Sequence, residues 1–388
     1  MNILVAIESF YDGGAEMFAI RLANEIAISE NVVFLELYPF RSNEKIQQRQ
    51  IDSRRVKVVQ VGKNFYGDKL NNIRSRNKIV EQFRRLQRWL NKKAVIATIR
   101  KNKIGIVHSH SWETDLYFSK LKDEVNFKMV SSFHGHYELM KSKGAYFTRH
   151  ATYALNRIDK VVYLTNEHAA TLDELSIPKH KRERIFHGLN ATRTMSIKSA
   201  VTDTPVRFAL VARGIPEKGW EQAIEAFAIL NNIYPGTNEL HLIGGSDYVD
   251  ELKEKCTSSN IYFHGYCEDV MSKIKDMHVG LLPSYYKAES LPVSVIEFLF
   301  CGKPVIACNV GAIREMLTDE DKTAGFLLEL KNGKTDPADI VQAAEIYISD
   351  RCKITEHSAI AIMAAKKFDM EHCVNAYKVL YSGLLASA

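Results

Sequence analysis

Short apolar runs alternate along this chain with longer stretches in which apolar residues recur every three or four positions. The first half opens with NILVAIE, a glycine-containing loop SFYDGG and the helical pattern AEMFAIRLANEIA. Further runs are VVFLELY (32–38), VKVVQV (56–61), IGIVHSH (104–110), KMVSSFH (128–134) and DKVVYLT (159–165). Near-continuous β-branched runs separated by helical periodicity predict strands of a parallel sheet buried on both faces. After a small, polar stretch ending at Pro205 (ATRTMSIKSAVTDTP) the pattern restarts. VRFALVA (206–212), LHLIGG (240–245), IYFHGY (261–266), HVGLLPS (278–284) and KPVIACN (303–309) alternate with helical segments, and the last thirty or so residues read as helix. Two consecutive doubly wound α/β domains are the simplest account. The expected boundaries are 1–195, 205–370 and a C-terminal helix, 371–388, able to cross back to the first domain.

Composition agrees with that picture. The chain has 388 residues, 46% hydrophobic and 25% charged, which suits a globular protein and excludes a disordered chain or a fibre. No run reaches the ~18–20 apolar residues needed to span a bilayer. NILVAI is ended by Glu8 and lacks a basic leader, so it does not read as a signal peptide. A cytoplasmic location follows as an expectation. All six cysteines (256, 267, 301, 308, 352, 373) lie in the second half without a C-x-x-C pair, and are expected to be reduced and core-filling.

Charge alters the picture in one place. Between Arg41 and Lys103 stand nineteen Lys and Arg against Glu44, Asp52, Asp68 and Glu81, a local excess of fifteen in a chain whose net charge is +6. Within this segment Ile79, Phe83, Leu86, Leu90, Ile96 and Ile99 recur at helical spacing. Arg84, Arg85, Arg88, Lys92 and Lys93 lie between them. The segment reads as a solvated face of a core helix, or as a surface for anionic headgroups or a phosphorylated acceptor. Nucleic acid is the weakest option, because no helix-turn-helix, RNA-binding or zinc-finger pattern accompanies the charge.

In doubly wound sheets ligands bind beyond the carboxyl ends of the strands, and the distinctive motifs fall there. Arg213-Gly-Ile-Pro-Glu-Lys218-Gly219-Trp220 follows the strand at 206–212, where two cations and a helix N-terminus suit a diphosphate. Glu289-Ser290-Leu291-Pro292-Val293 follows HVGLLPS, with Pro292 expected in the first helical turn. Glu297 interrupts the apolar helix that follows, where a carboxylate needs a partner such as a ribose diol. Asp12-Gly13-Gly14 lets backbone N–H groups approach a ligand closely, although it is not the dinucleotide fingerprint. His108/His110 and His134/His136 each end a strand. They could ligate a metal, bond individually near a ligand, or be structural. Asp319-Glu320-Asp321 reads as a solvated turn.

Together these motifs resemble the retaining glycosyltransferases of family 4, which have the GT-B fold. The resemblance is strongest over VARGIPEKGWEQAIEAF, LHLIGG, IYFHGY and GLLPSYYKAESLPVSVIEFLFCGKPVIACNVGAIREML, and looser through GGAE, VHSHS, SFHGH and HGLN. It implies two Rossmann-like domains facing each other across a cleft that holds the nucleotide-sugar, which is a co-substrate. No cofactor or metal is expected. By resemblance, Arg213 and Lys218 bind the donor diphosphate and Glu297 the ribose. Glu289, with the backbone of Ser290 to Val293, contacts the sugar. Gly13 and Gly14 approach the donor, and His134 lies near the reacting centre.

Three positions depart from the usual pattern: Ala212 replaces a glycine, E-S-L-P replaces E-G-F-G, and Asn190 replaces an aspartate. The resemblance implies a hexosyltransferase using a nucleotide-diphosphate sugar, with UDP favoured. The basic segment suits a lipid-linked or surface-polysaccharide acceptor, such as lipopolysaccharide, at the inner face of the cell membrane. The alternatives are a sugar-nucleotide epimerase on the same fold and a non-catalytic nucleotide- or glycan-binding regulator.

Overall fold

A computed structural model describes residues 1–10, 14–39, 48, 50–61, 78–134, 144–190, 205–287 and 289–387. The chain divides into two compact units, Met1–Gly188 with Glu371–Ala388, and Leu189–Met370.

In the first unit the strands are β1 (Asn2–Ile7), β2 (Asn31–Glu36), β3 (Val56–Gln60), β4 (Ile106–Ser109), β5 (Lys128–Ser132), β6 (Lys160–Tyr163) and β7 (Arg182–Arg184). They form one sheet in the order β3-β2-β1-β4-β5-β6-β7, with every pairing parallel. The helices are α1 (Gly14–Ile26), α2 (Lys78–Lys101), α3 (Trp112–Leu121), α4 (Ala145–Arg157) and α5 (Asn166–Glu174). Residues 3–7 of β1 are at most 1% exposed, which explains their unbroken apolar character. Ser111 and Thr114 form a capping box that starts α3 directly after β4.

The second unit repeats the scheme with β8 (Val206–Val211), β9 (Asn238–Ile243), β10 (Ile261–Gly265), β11 (Val279–Leu282), β12 (Val305–Cys308) and, beyond a β13–β14 hairpin (Thr318–Asp319, Lys322–Thr323), β15 (Gly325–Leu328). Its parallel order is β10-β9-β8-β11-β12-β15. The helices are α6 (Trp220–Ile233), α7 (Asp247–Lys255), α8 (Val270–Ile274), α9 (Val293–Phe300), α10 (Ile313–Leu317), α11 (Pro337–Ser349) and α12 (Arg351–Ala365). Finally α13 (Met370–Ala386) carries the chain back into the first unit. The order of each sheet reverses at its centre, between β1 and β4 and between β8 and β11. Those switch points open the crevices where ligands bind in such sheets.

Several local expectations are corrected. The runs at 104–110 and 128–134 are strands only as far as Ser109 and Ser132, so His110 and His134 lie beyond their ends. Strands β7 and β15 have no counterpart in the sequence reading. Edge strands need only one buried neighbour, and β7 reads Arg-Glu-Arg. Pro292 is the N-cap of α9 and stands just outside its first turn. Of the six cysteines Cys301, Cys308 and Cys373 are buried, Cys256 and Cys267 are half-buried, and Cys352 is exposed. Cys352 sits in the first turn of α12, where its backbone bonds the capping Asp350. Asp319 pairs in the hairpin and is half-buried, while Glu320 and Asp321 are exposed.

Candidate functional site

The second-unit site forms where the loops after β8 and β11 meet. Arg213 leaves the end of β8 exposed to solvent. Its carbonyl accepts from the indole of the fully buried Trp220 (2.9 Å), and the Gly214 carbonyl accepts from Ser246 (2.7 Å). A short 3-10 turn, Pro216–Lys218, then leads to Gly219 at φ +78°. A Cβ at Gly219 would lie 2.2 Å from the Pro283 carbonyl oxygen. Only glycine allows the two loops to approach so closely. They are joined further by Tyr285 N–H donating to the Glu217 carbonyl (2.9 Å).

That approach buries Lys218 against Glu289, with Nζ to Oε2 at 2.5 Å and side-chain exposures of 10% and 6%. The Ser284 hydroxyl donates to the same carboxylate oxygen at 2.7 Å. Tyr286 stands beside both cations, its ring centre 5.1 Å from Lys218 Nζ and 5.7 Å from the Arg213 guanidinium carbon. Such distances allow cation–π attraction. Ser290 is half-buried, and Leu291 and Pro292 are buried on the way into α9. No side chain caps that helix, so its positive end faces the loop of Ser290 to Val293. Glu297 is half-buried one turn further on.

The downstream motif G-A-I-R-E acts as a brace for this loop. Gly311 has φ +57°, and a Cβ there would come within 2.0 Å of the Glu289 carbonyl oxygen. Ala312 N–H donates to the Ser290 carbonyl at 2.9 Å. The structure thus brings Arg213, Lys218 and Glu289 together and supports them with Ser284, Tyr286, Trp220 and Ser246, which the sequence reading missed. Trp220 closes the first motif, but its role as a donor to the Arg213 carbonyl was not read from it. Tyr286 and Ser284 carried no spacing signal.

In the first unit the loop after β1 is held by Glu36, fully buried at the end of β2, which accepts from Ser9 Oγ (3.0 Å) and Phe10 N–H (3.2 Å). Gly13 and His136 lie outside the described residues, and Gly14 is the exposed first residue of α1. Beyond β4 and β5, His110 Nδ1 and His134 Nε2 are 3.1 Å apart. The His187 ring lies 4.9 Å from that of His134 and stacks on Phe18 of α1 at 3.9 Å.

Burial pushes His108 and His187 down to about 3 and His110 well below its usual range. Neighbouring His168 and Arg21 add to the effect at His187. These rings are therefore neutral at pH 7 and suited to bonding hydroxyls. Among the described residues no three His, Cys, Asp or Glu side chains are placed to hold a metal ion.

In α2, Val95, Ile96 and Ile99 are buried in the first-unit core. Lys92 pairs with Glu124. Lys93 lies 5.6 Å from the ring centre of Trp89, which is 53% exposed. Arg84, Arg85 and Arg88 fall on the same helix, but their side chains lie outside what is described. Among the described residues no helix is long and apolar enough to cross a membrane.

Two family models match the chain in succession: Glycosyltransferase Family 4 over residues 12–193 and Glycosyl transferases group 1 over residues 192–368. The uncharacterized glycosyltransferase MJ1178 of Methanocaldococcus jannaschii is 23% identical over 296 residues, covering 74% of this chain and 77% of the relative. The lipopolysaccharide core biosynthesis mannosyltransferase LpsB of Rhizobium meliloti is 22% identical over 250 residues, covering 60% and 68%. The crystal structure of Anabaena Alr3699/HepE in complex with UDP-glucose superposes with a TM-score of 0.74 at 18% identity, covering all of both chains.

Proposed function

We propose, for a chain that is a glycosyltransferase of the GT-B type, that it moves a hexose from a nucleotide-diphosphate sugar to a hydroxyl of a lipid-linked or surface-polysaccharide acceptor, with retention at the anomeric carbon and without a metal. The buried Lys218–Glu289 pair beside Arg213, at the carboxyl ends of β8 and β11, carries the reading. Two cations and an uncapped helix end suit a diphosphate. A carboxylate fixed by Lys218 and Ser284 is a hydroxyl acceptor and a poor nucleophile, because two donors already stabilise its charge.

In this mechanism the acceptor oxygen attacks the anomeric carbon on the face that the diphosphate leaves. The bond from that carbon to the diphosphate oxygen breaks, and the departing phosphate oxygen takes the acceptor proton. Arg213 and Lys218 stabilise the charge that grows on the leaving group. Glu289 and the N–H groups of Ser290 to Val293 hold the sugar hydroxyls, Glu297 the ribose, and His134 the sugar near the reacting carbon. Gly13 and Gly14 admit the donor to the first-unit loop. UDP is the favoured nucleotide, supported by the UDP-glucose bound to the HepE structure. A lipopolysaccharide-type acceptor is supported by the relative LpsB.

The cationic sequence of α2 (Arg84, Arg85, Arg88, Lys92 and Lys93), with exposed Trp89, suits an anionic membrane surface, since Trp favours the headgroup level. Peripheral association at the inner face of the membrane follows.

Titration calorimetry with UDP, GDP and ADP, repeated on Arg213→Ala, tests the donor site. Binding of one nucleotide that is lost in the variant is expected. If none of the three binds, the diphosphate role is wrong. Sedimentation with anionic vesicles tests the membrane part, which is wrong if the protein stays in the supernatant even at low salt.

A further inference from the structure

The C-terminal helix α13 presents Tyr377, Tyr381 and Leu385 at four-residue steps, a single stripe of its surface. The first unit receives all three. Leu385 Cδ2 lies 3.1 Å from the place a Cβ on Gly105 would take, so the helix packs closely on the chain just before β4. Further along the stripe the contacts become polar. Tyr381 Oη is 2.7 Å from His108 Nδ1, His108 Nε2 is 2.8 Å from Ser132 Oγ, and Ser132 Oγ is 2.8 Å from Tyr377 Oη. His108, Tyr377 and Tyr381 are 0% exposed and Ser132 5%.

A neutral imidazole has one donor and one acceptor nitrogen, and the bond made by one fixes the role of the other. Burial keeps His108 neutral and both phenols protonated. With Nδ1 protonated, His108 donates to Tyr381 and accepts from Ser132, which must then accept from Tyr377; with Nε2 protonated, His108 donates to Ser132 and accepts from Tyr381. This four-residue chain approaches the His110–His134 pair at two points. Ser132 ends β5 two residues before His134. The His108 ring lies 4.1 Å from that of His110, whose Nδ1 is 3.1 Å from His134 Nε2.

We propose that Tyr377 and Tyr381 are positioning residues for the His110–His134 pair, acting through Ser132 and His108. This rests on the reading of His134 as the residue that meets the transferred sugar. The two hydroxyls of the helix anchor the His108 ring and through it hold two rings at the orientation the reaction needs.

The test uses Tyr381→Phe, Tyr377→Phe and Ser132→Ala in full-length protein labelled with 15N-histidine. Tyr347→Phe serves as control, because it removes a similar buried bond (to His357 Nδ1, 2.7 Å) in the second unit. Ring-nitrogen shifts report tautomers directly, and hydrolysis of the nucleotide-sugar that binds, with water taking the glycosyl group, reports turnover through the nucleoside diphosphate released.

The tyrosine variants are expected to move the His108, His110 and His134 signals together. They should lower kcat by about tenfold to a hundredfold, the size of effect a misplaced group produces, while nucleoside diphosphate affinity stays unchanged. The control should move neither the signals nor kcat, even though it loses a comparable bond. If the His110 and His134 signals stay in place while that of His108 moves, the coupling does not exist. Wild-type turnover with unchanged kcat in all three variants likewise overturns the proposal. The ring shifts decide the coupling whether or not the wild-type protein hydrolyses the donor without an acceptor.

Discussion

Lys218 and Glu289 meet at 2.5 Å although they lie 71 positions apart, and Ser284 donates to the same carboxylate oxygen. Each was singled out by sequence for a different part of the ligand. Their bond makes them one device, in which the position of either charge depends on the other.

Breaking this pair should cost more than removing it. Glu289→Leu leaves an ammonium buried without its partner, at a cost of about 3–5 kcal/mol. Replacing both residues by apolar ones (Lys218→Met with Glu289→Leu) should restore most of that stability while abolishing nucleotide-sugar turnover. Urea denaturation of the two singles and the double closes a mutant cycle. Additive losses would show that the two side chains do not act as a pair.

Arg213 is exposed, and what its loop needs comes from the main chain, through the Trp220 indole. Arg213→Ala should therefore leave the melting temperature almost unchanged. It should weaken nucleoside diphosphate binding by roughly tenfold or more, since a charged hydrogen bond is worth ~1.5–3 kcal/mol. Calorimetry and thermal melting on the same sample separate the two effects. A large drop in melting temperature with intact binding would reverse the assignment.

Gly311 has φ +57° and no room for a Cβ beside the Glu289 carbonyl. Gly311→Ala must push the loop carrying Glu289 and Ser290, besides incurring ~1–2 kcal/mol of left-handed backbone strain. The expected result is a folded protein with markedly reduced turnover. A variant with wild-type kcat/KM would mean that the brace plays no part in the site.

Stability should depend on pH through the first-unit histidines. His108 and His187 titrate near 6.5 when unfolded but only at about 3 when folded, because burial disfavours their charged forms. Above about pH 6.5 neither state protonates them, and their effect is constant. As pH falls from 6.5 towards 3 the unfolded chain takes up protons that the folded chain does not, so stability is lost by ~1.4 kcal/mol per pH unit for each such group. Urea midpoints between pH 7.5 and 4.5 should decline more gently in His187→Asn, which removes one of these protons. An unchanged slope would place His187 outside this linkage.

The alternation of apolar runs and helices specified two parallel α/β units, because a strand covered on both faces must be apolar throughout. Sequence also placed Arg213, Lys218 and Glu289 beyond strand ends, where such folds bind ligands. It could not supply the edge strands β7 and β15, which bury too little to leave a pattern. Nor could it show that Lys218 bonds Glu289, that Gly311 braces the same loop, or that Tyr381 returns across 273 residues to His108. Local spacing records which face of an element is buried. Which elements become neighbours is fixed by the order of strands in the sheet and the path of the chain between units, and only the folded structure decides that.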